Sequence, residues 1–168
     1  MRSWRWERNT ENGGTIRMQT RRLIVALAVA LIGALVLGGP ALGADPGGRP
    51  LSATLTGAAE APGPGDPDGS GVATITVNPG QEEICWAITV EDITLPATAA
   101  HIHVAPPGSP GPIVVGLSAP DASGSSSGCT PVERELAKDI LKNPEDYYVN
   151  VHTLPLFGAG AIRGQLSK

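Results

Sequence analysis

The chain contains three histidines, and their positions raise the first question about its chemistry. His101 and His103 are separated by one residue in the segment AHIHV, and His152 lies in the alternating segment YYVNVHT. An extended strand sends successive side chains to opposite faces, so His101 and His103 share one face while Ile102 and Val104 occupy the other. If the valines of both segments enter one core, all three imidazoles lie together on the opposite, polar face.

Two interpretations of this cluster follow. Three imidazoles with an open position are typical of catalytic or transport sites for zinc or copper, which makes His101, His103 and His152 candidate metal ligands. Alternatively, the histidines hydrogen-bond neighbouring strands and fix the register of the sheet. Without a sure fourth ligand, the sequence favours the second interpretation. Three polar residues are expected as partners of the histidines in either case: Glu60, Asn150 and Arg163.

A second motif matches a nucleophile pattern, but in the wrong context. Residues 124–128 read GSSSG, the G-x-S-x-G pattern centred on Ser126, and Asp139 and His152 follow in hydrolase order. A nucleophile elbow requires a sharp strand-to-helix turn in a large parallel sheet, whereas segment 118–128 predicts a flexible Gly/Ser loop. The sequence therefore contains no demonstrable enzyme chemistry.

Several carboxylates have the chemistry to bind calcium. They are Asp66, Asp68, Asp92 and the pair Glu82–Glu83. The segment Asp-Pro-Asp-Gly places two carboxylates before a glycine, but it lacks the downstream bidentate glutamate of an EF-hand loop. It is therefore predicted to be a solvated turn.

Short alternating segments separated by Gly- and Pro-rich turns predict an all-β fold. The predicted strands are 51–57, 71–78, 82–92, 99–105, 112–117, 147–153 and 160–168. A capping box from Thr130 to Glu133, with Pro at the first helical position, predicts one short helix that stops before Pro144. Together these elements indicate an antiparallel β-sandwich or barrel of Greek-key type. The expected core residues are Ile75, Val77, Trp86, Ile88, Ile102, Val104, Val149, Val151 and Leu166.

The N-terminus reads as an export signal. Residues 1–22 carry six arginines against two glutamates, and a continuous apolar run follows from Leu23 to Gly39. This pattern predicts that residues 1–44 are an N-terminal extension and secretory signal peptide, cleaved near Gly43 or Ala44. The start at Met1 or Met18, and the Sec or twin-arginine route, stay open. Residues 45–50 form a short linker and residues 51–168 the β domain.

The charge of the exported part limits its partners. From Asp45 onward there are 14 acidic and 6 basic residues, a net charge of 6 − 14 = −8. Such an acidic surface argues against nucleic acid or an anionic membrane as a partner. The membrane is expected to be met only transiently, through the signal peptide.

Two cysteines, Cys85 and Cys129, remain after the predicted cleavage. An even pair in an exported protein predicts a disulfide, with free thiols or thiolate metal ligands as the alternatives. Since Trp86 and Ile88 face the core, Cys85 points outward. The disulfide is therefore expected to tie the loop 118–129 to the outer face of the strand.

Three motifs in order resemble the CHRD (chordin) domain family. They are TGAAEAPGPGDPDGSGVATITV, AHIHVAPPGSPGPIVVGL and YYVNVHTLPLFGAGAIRGQL, and together they span roughly residues 51–166. The resemblance implies an extracellular all-β domain of the kind found in animal chordins and in secreted bacterial proteins. The cysteine pair and the Gly/Pro/Asp-rich segment 61–71 depart from the family pattern.

The residues and the resemblance together predict a secreted, bacterial, single-domain CHRD-type module. Its function is predicted to be structural or to be the non-enzymatic binding of an extracellular protein or a small ligand. The alternative is a small extracytoplasmic copper- or zinc-binding protein that uses the three-histidine cluster.

Overall fold

The computed structural model describes residues 47–168. Within this range the chain forms eight strands, one α-helix and two short 3-10 turns at Gly57–Ala59 and Pro144–Asp146. The strands are β1 (Arg49–Thr56), β2 (Ser70–Asn78), β3 (Glu83–Glu91), β4 (Ala99–Val104), β5 (Ile113–Leu117), β6 (Ser125–Pro131), β7 (Tyr147–Thr153) and β8 (Phe157–Gln165), and the helix is α1 (Arg134–Lys142).

All eight strands belong to one antiparallel sheet, in the order β5-β4-β7-β8-β1-β2-β3-β6. The sheet curls until its two edge strands, β5 and β6, come into contact. The predicted all-β barrel or sandwich with one helix is therefore confirmed. The two strands that carry the histidines, β4 and β7, are neighbours in this sheet.

The boundaries at the N-terminal side differ slightly from the prediction. Arg49 and Pro50, which the sequence assigns to the linker, already belong to β1 and pair with Val77 and Thr76 of β2. The predicted signal peptide lies outside the described residues. Among residues 47–168, no helix is both long and apolar enough to cross a membrane.

The core forms on the inner face of the curled sheet. Eight of the nine predicted core residues are buried there, among them Trp86, which is 8% exposed. Val104 is only partly buried. The pairing of β4 with β5 shifts register between Ile102 and His103, but the pairing of β4 with β7 stays regular, so the side chains still alternate between the two faces. Ile102 is buried in the core, whereas His103 is buried on the opposite face, against Tyr148 and the Gly111 carbonyl.

Two predictions for residues 118–133 are wrong. The Gly/Ser segment expected to be a flexible loop forms β6 from Ser125 onward, because its backbone pairs with β3. The helix begins at Arg134 and not near Thr130. Thr130 is still paired with β3, and the Val132 N–H donates to the Glu82 carbonyl at 2.8 Å. The sheet thus takes the backbone groups that the capping box would have used.

The predicted Cys85–Cys129 disulfide is confirmed, with the two Cα atoms 4.0 Å apart. Its position differs from the expectation, since the cysteines are directly opposite each other in the β3–β6 pair. The disulfide therefore links two adjacent strands and does not tie down a covering loop. A disulfide fits an oxidising compartment.

Candidate metal centre

Strand register brings the histidines together on the outer face of the sheet. In the β4–β7 pair, His101 lies opposite Asn150, His103 lies opposite Tyr148, and His152 lies opposite Ala99. His152 is therefore the diagonal neighbour of His101, at a distance that side chains can bridge. The two-residue spacing in AHIHV adds His103 on the other side of His101.

The three imidazoles form one compact cluster. His101 Nδ1 and His152 Nε2 are 3.2 Å apart, and the ring centroids of His101 and His103 are 5.6 Å apart. One ring nitrogen from each residue lies within 4.8 Å of the others. The structure thus brings together all three residues that the sequence singled out.

Backbone carbonyls determine which ring nitrogens carry a proton. His103 Nδ1 lies 2.9 Å from the Gly111 carbonyl oxygen, and His152 Nδ1 lies 3.1 Å from that of Gly158. Since a carbonyl can only accept, Nδ1 is the donor in both rings and Nε2 holds the lone pair when the ring is neutral. His152 Nε2 accepts from His101 Nδ1, whereas His103 Nε2 is buried without a hydrogen-bond partner among the described residues.

The surroundings favour neutral imidazoles. Burial lowers the pKa of His101, and the nearby His152 and His103 lower it further. Burial also lowers the pKa of His103 and of His152, against the opposing effect of the carbonyl hydrogen bonds. A neutral imidazole is the form that binds a metal. The cluster is therefore in a ligating protonation state near neutral pH.

The three expected polar partners, Glu60, Asn150 and Arg163, form their hydrogen bonds with groups other than the three imidazoles. Asn150 Nδ2 donates to Glu60 Oε1 at 2.6 Å, and Arg163 donates to backbone carbonyls of the loop 105–112. Among the described residues, the Nδ1 atoms of His103 and His152 are bonded instead to the carbonyls of Gly111 in the loop 105–112 and of Gly158 in β8. The expectation that Glu60, Asn150 and Arg163 complete a polar network around the histidines stays a prediction.

Sequence reasoning missed two residues of the site. Tyr148 stacks on His103, with ring centroids 4.8 Å apart and planes 6° from parallel. Gly111 supplies the carbonyl for His103, and a Cβ at this position would lie 2.0 Å from the Val104 carbonyl oxygen. Every residue offers a carbonyl, so the sequence holds no signal for this contact except the glycine itself, which allows the close approach.

The alternative motifs do not assemble. Ser126 lies on β6, where its hydroxyl donates to the Ser118 carbonyl and accepts from Trp86 Nε1. Asp139 accepts from Tyr147 and Asn143, so the hydrolase triad is absent from the described structure.

Three carboxylates of the possible calcium site lie near one another, since burial raises the pKa of Asp66 and the neighbouring Asp68 and Asp92 raise it further. Asp68 is exposed, as predicted for a solvated turn, whereas Asp66 is buried, and the Asp66 N–H donates to the Ala161 carbonyl. Glu82 forms an ion pair with Arg134 at 3.0 Å.

The histidines and the cysteines lie in a segment that matches a known domain family. A family model described as the CHRD domain matches residues 51–166, which include the three histidines and both cysteines. No curated protein and no solved structure matches the chain.

Proposed function

Because this chain belongs to the CHRD domain family, we propose that it is an exported, non-enzymatic β-module that binds a zinc or copper ion through His101, His103 and His152. One observation carries the proposal. The Nε2 atom of His103 is buried and has no hydrogen-bond partner among the described residues. A buried acceptor left in this state costs about 1–3 kcal/mol, and a metal ion would satisfy it.

The donor set fits zinc and copper. Both metals accept neutral imidazole nitrogens. With metal–nitrogen bonds of about 2.0–2.1 Å, tetrahedral geometry places ligand nitrogens about 3.3 Å apart. His101 Nδ1 and His152 Nε2 are 3.2 Å apart, which meets this spacing once the His101 proton moves from Nδ1 to Nε2, and one ring nitrogen of each histidine lies within 4.8 Å of the others. Three protein ligands would leave a fourth position for water or an exogenous ligand.

Export is supported by two features. The disulfide between Cys85 and Cys129 is stable in an oxidising compartment, and residues 1–44 have the charge and apolar pattern of a signal peptide. Transition-metal binding outside the cytoplasm is compatible with both.

The competing interpretation makes the histidines register-fixing groups. The hydrogen bond between His101 and His152 is the observation in its favour. It does not account for His103, whose imidazole is only 9% exposed and uses one of its two nitrogens. A polar network that only fixed the register would be expected to satisfy both.

The test is a titration of the purified protein with Zn(II) and Cu(II), followed by calorimetry. Wild-type protein should bind one ion, and His103→Gln, which keeps a polar side chain of similar length, should lose at least about 10-fold in affinity, since even outer-sphere changes cost that much. Asp68→Asn is the matched control for adventitious binding to the acidic surface and should bind like the wild type. Unchanged binding in His103→Gln, or none in the wild type, would establish the register interpretation.

A further inference from the structure

The loop 105–112, here named the covering loop, lies over the outer face of the sheet beside the histidines. Its first residue is anchored by Ala105 N–H, which donates to the Asp146 carbonyl at 2.8 Å, and its end by Val104 N–H, which donates to the Pro112 carbonyl at 3.2 Å. Gln165 Nε2 donates to the Ala105 carbonyl at 2.8 Å. These bonds fix the two ends of the covering loop.

Arg163 holds the middle of the covering loop. Its side chain is 1% exposed, and it donates from Nη1 to the Ser109 carbonyl at 2.8 Å and from Nη2 to the Pro106 carbonyl at 3.1 Å. Within residues 47–168 the ion pairs are formed by Arg134 and Lys138, not by Arg163. A buried charge without a direct ionic partner is costly. The carbonyls of the covering loop compensate part of this cost, together with Gln165 Oε1, which accepts at 3.2 Å, and the nearby Tyr148 and Glu60.

Arg163, Tyr148 and the covering loop are together called the clamp, and Tyr148 is the member that contacts His103 of the candidate metal centre. The Arg163 guanidinium carbon lies 3.4 Å from the centroid of the Tyr148 ring, a cation–π contact. His103 stacks on the same ring. Since β7 lies between β4 and β8, the imidazole and the guanidinium reach the tyrosine from opposite sides. The Tyr148 hydroxyl accepts from Gly111 N–H at 3.1 Å.

We infer that Arg163 and Tyr148 are positioning residues for His103. Arg163 holds the covering loop at Pro106 and Ser109, and Tyr148 holds it at Gly111, so that the Gly111 carbonyl faces His103 Nδ1. The proton is thereby kept on Nδ1, and Nε2 presents its lone pair to the cluster before any ion arrives. The consequence for metal affinity rests on the proposed function, whereas the effect on the His103 tautomer does not.

Two variants separate the parts of this clamp. Tyr148→Phe keeps the aromatic ring but removes the acceptor of Gly111 N–H. Arg163→Lys keeps the charge but loses the fork that reaches two carbonyls at once. Arg134→Lys is the matched control, because the same substitution there changes only an exposed ion pair on α1.

The readout is the tautomer of His103, measured from its ring ¹⁵N chemical shifts in metal-free protein in mildly alkaline buffer. Wild type and Arg134→Lys should show the proton on Nδ1, and both clamp variants should show mixed populations on Nδ1 and Nε2. Zn(II) affinity should fall about 10–100-fold in the same variants. If Arg163→Lys does not fold, Tyr148→Phe still decides the question, because it retains the stack and the buried ring.

The outcomes separate the two proposals. A His103 tautomer that is the same in Tyr148→Phe as in the wild type overturns the clamp, whether or not the protein binds metal. A tautomer that moves while wild-type protein binds neither Zn(II) nor Cu(II) supports the clamp and overturns the proposed function. A change in the His103 tautomer together with a loss of Zn(II) affinity supports both the clamp and the proposed function.

Discussion

At the scale of single residues, burial shifts the ionisable groups on the outer face of β4, β7 and β8 in opposite directions. It lowers the pKa of His101, His103 and His152, and it raises the pKa of Glu60 from 4.5 to about 7 against the opposing effects of Asn150 and Arg163. The cause is the same in each case, since a less polar environment disfavours the charged form. Burial therefore favours the uncharged form of Glu60 and of all three imidazoles.

This shift predicts a pH-dependent effect of Glu60→Gln. Because the pKa of Glu60 is higher in the folded protein, the unfolded chain loses this proton first, and the stability contributed by Glu60 falls as the pH rises from about 4.5 to about 7. Gln has no such proton and can still accept from Asn150. The free energy of unfolding of Glu60→Gln minus that of the wild type should therefore increase over this window.

Urea unfolding of both proteins at several pH values measures this difference. The histidines act in the opposite direction, because their lowered pKa values add stability as the pH rises towards 6.5. Their contribution is common to both proteins and cancels in the difference. A difference that is constant across the window would contradict the prediction.

At the scale of elements, the formation of β6 depends on its neighbour β3. Its sequence SSSGCTP has few of the β-branched and aromatic residues that favour strands, and it is an edge strand paired only with β3 in the sheet order. The Cys85–Cys129 disulfide crosses this pair. The covalent link therefore secures an element with a weak intrinsic preference for its conformation.

Removing the disulfide by the double substitution Cys85→Ala and Cys129→Ala should destabilise the protein. The cysteines are 44 residues apart, and the chain-entropy model gives up to about 4 kcal/mol for closing a loop of this size. Denaturant unfolding of the oxidised wild type and of the double variant measures the loss, with the reduced wild type as the matched control. Equal stability of the double variant and the oxidised wild type would contradict this role.

At the scale of the whole molecule, the proposed cleavage site precedes the first strand of the sheet. β1 begins at Arg49, five residues after Ala44, so cleavage near Gly43 or Ala44 would leave every strand of the sheet intact. The net charge of −8 from Asp45 onward favours solubility of this part of the chain.

We expect the protein recovered outside the cytoplasm to begin at Ala44 or Asp45, since a signal peptidase cuts after small residues. N-terminal sequencing of the secreted material checks this. Protein lacking the segment 1–44 through engineered deletion is the control and should remain in the cytoplasm. A recovered chain that still begins at Met1 or Met18 would show that residues 18–44 are not a cleaved signal.

The sequence by itself determined the features that depend on local periodicity. Alternation along AHIHV and YYVNVHT was enough to place His101, His103 and His152 on one face, because a strand has a strict two-residue period. The same rule identified Trp86 and Ile88 as core residues. Cysteine number and an apparent export signal were enough to predict the disulfide.

Only the tertiary structure decided the features that depend on partners distant in the chain. Strand β6 forms because its backbone exchanges hydrogen bonds with β3. The same pairing extends to Pro131, so the helix begins only at Arg134. The carbonyls that orient the histidines come from Gly111 in the covering loop and from Gly158 at the start of β8. Nearly every residue carries the same backbone donor and acceptor. The sequence therefore does not identify which carbonyl accepts from which imidazole, because that pairing depends on the folded arrangement of the chain.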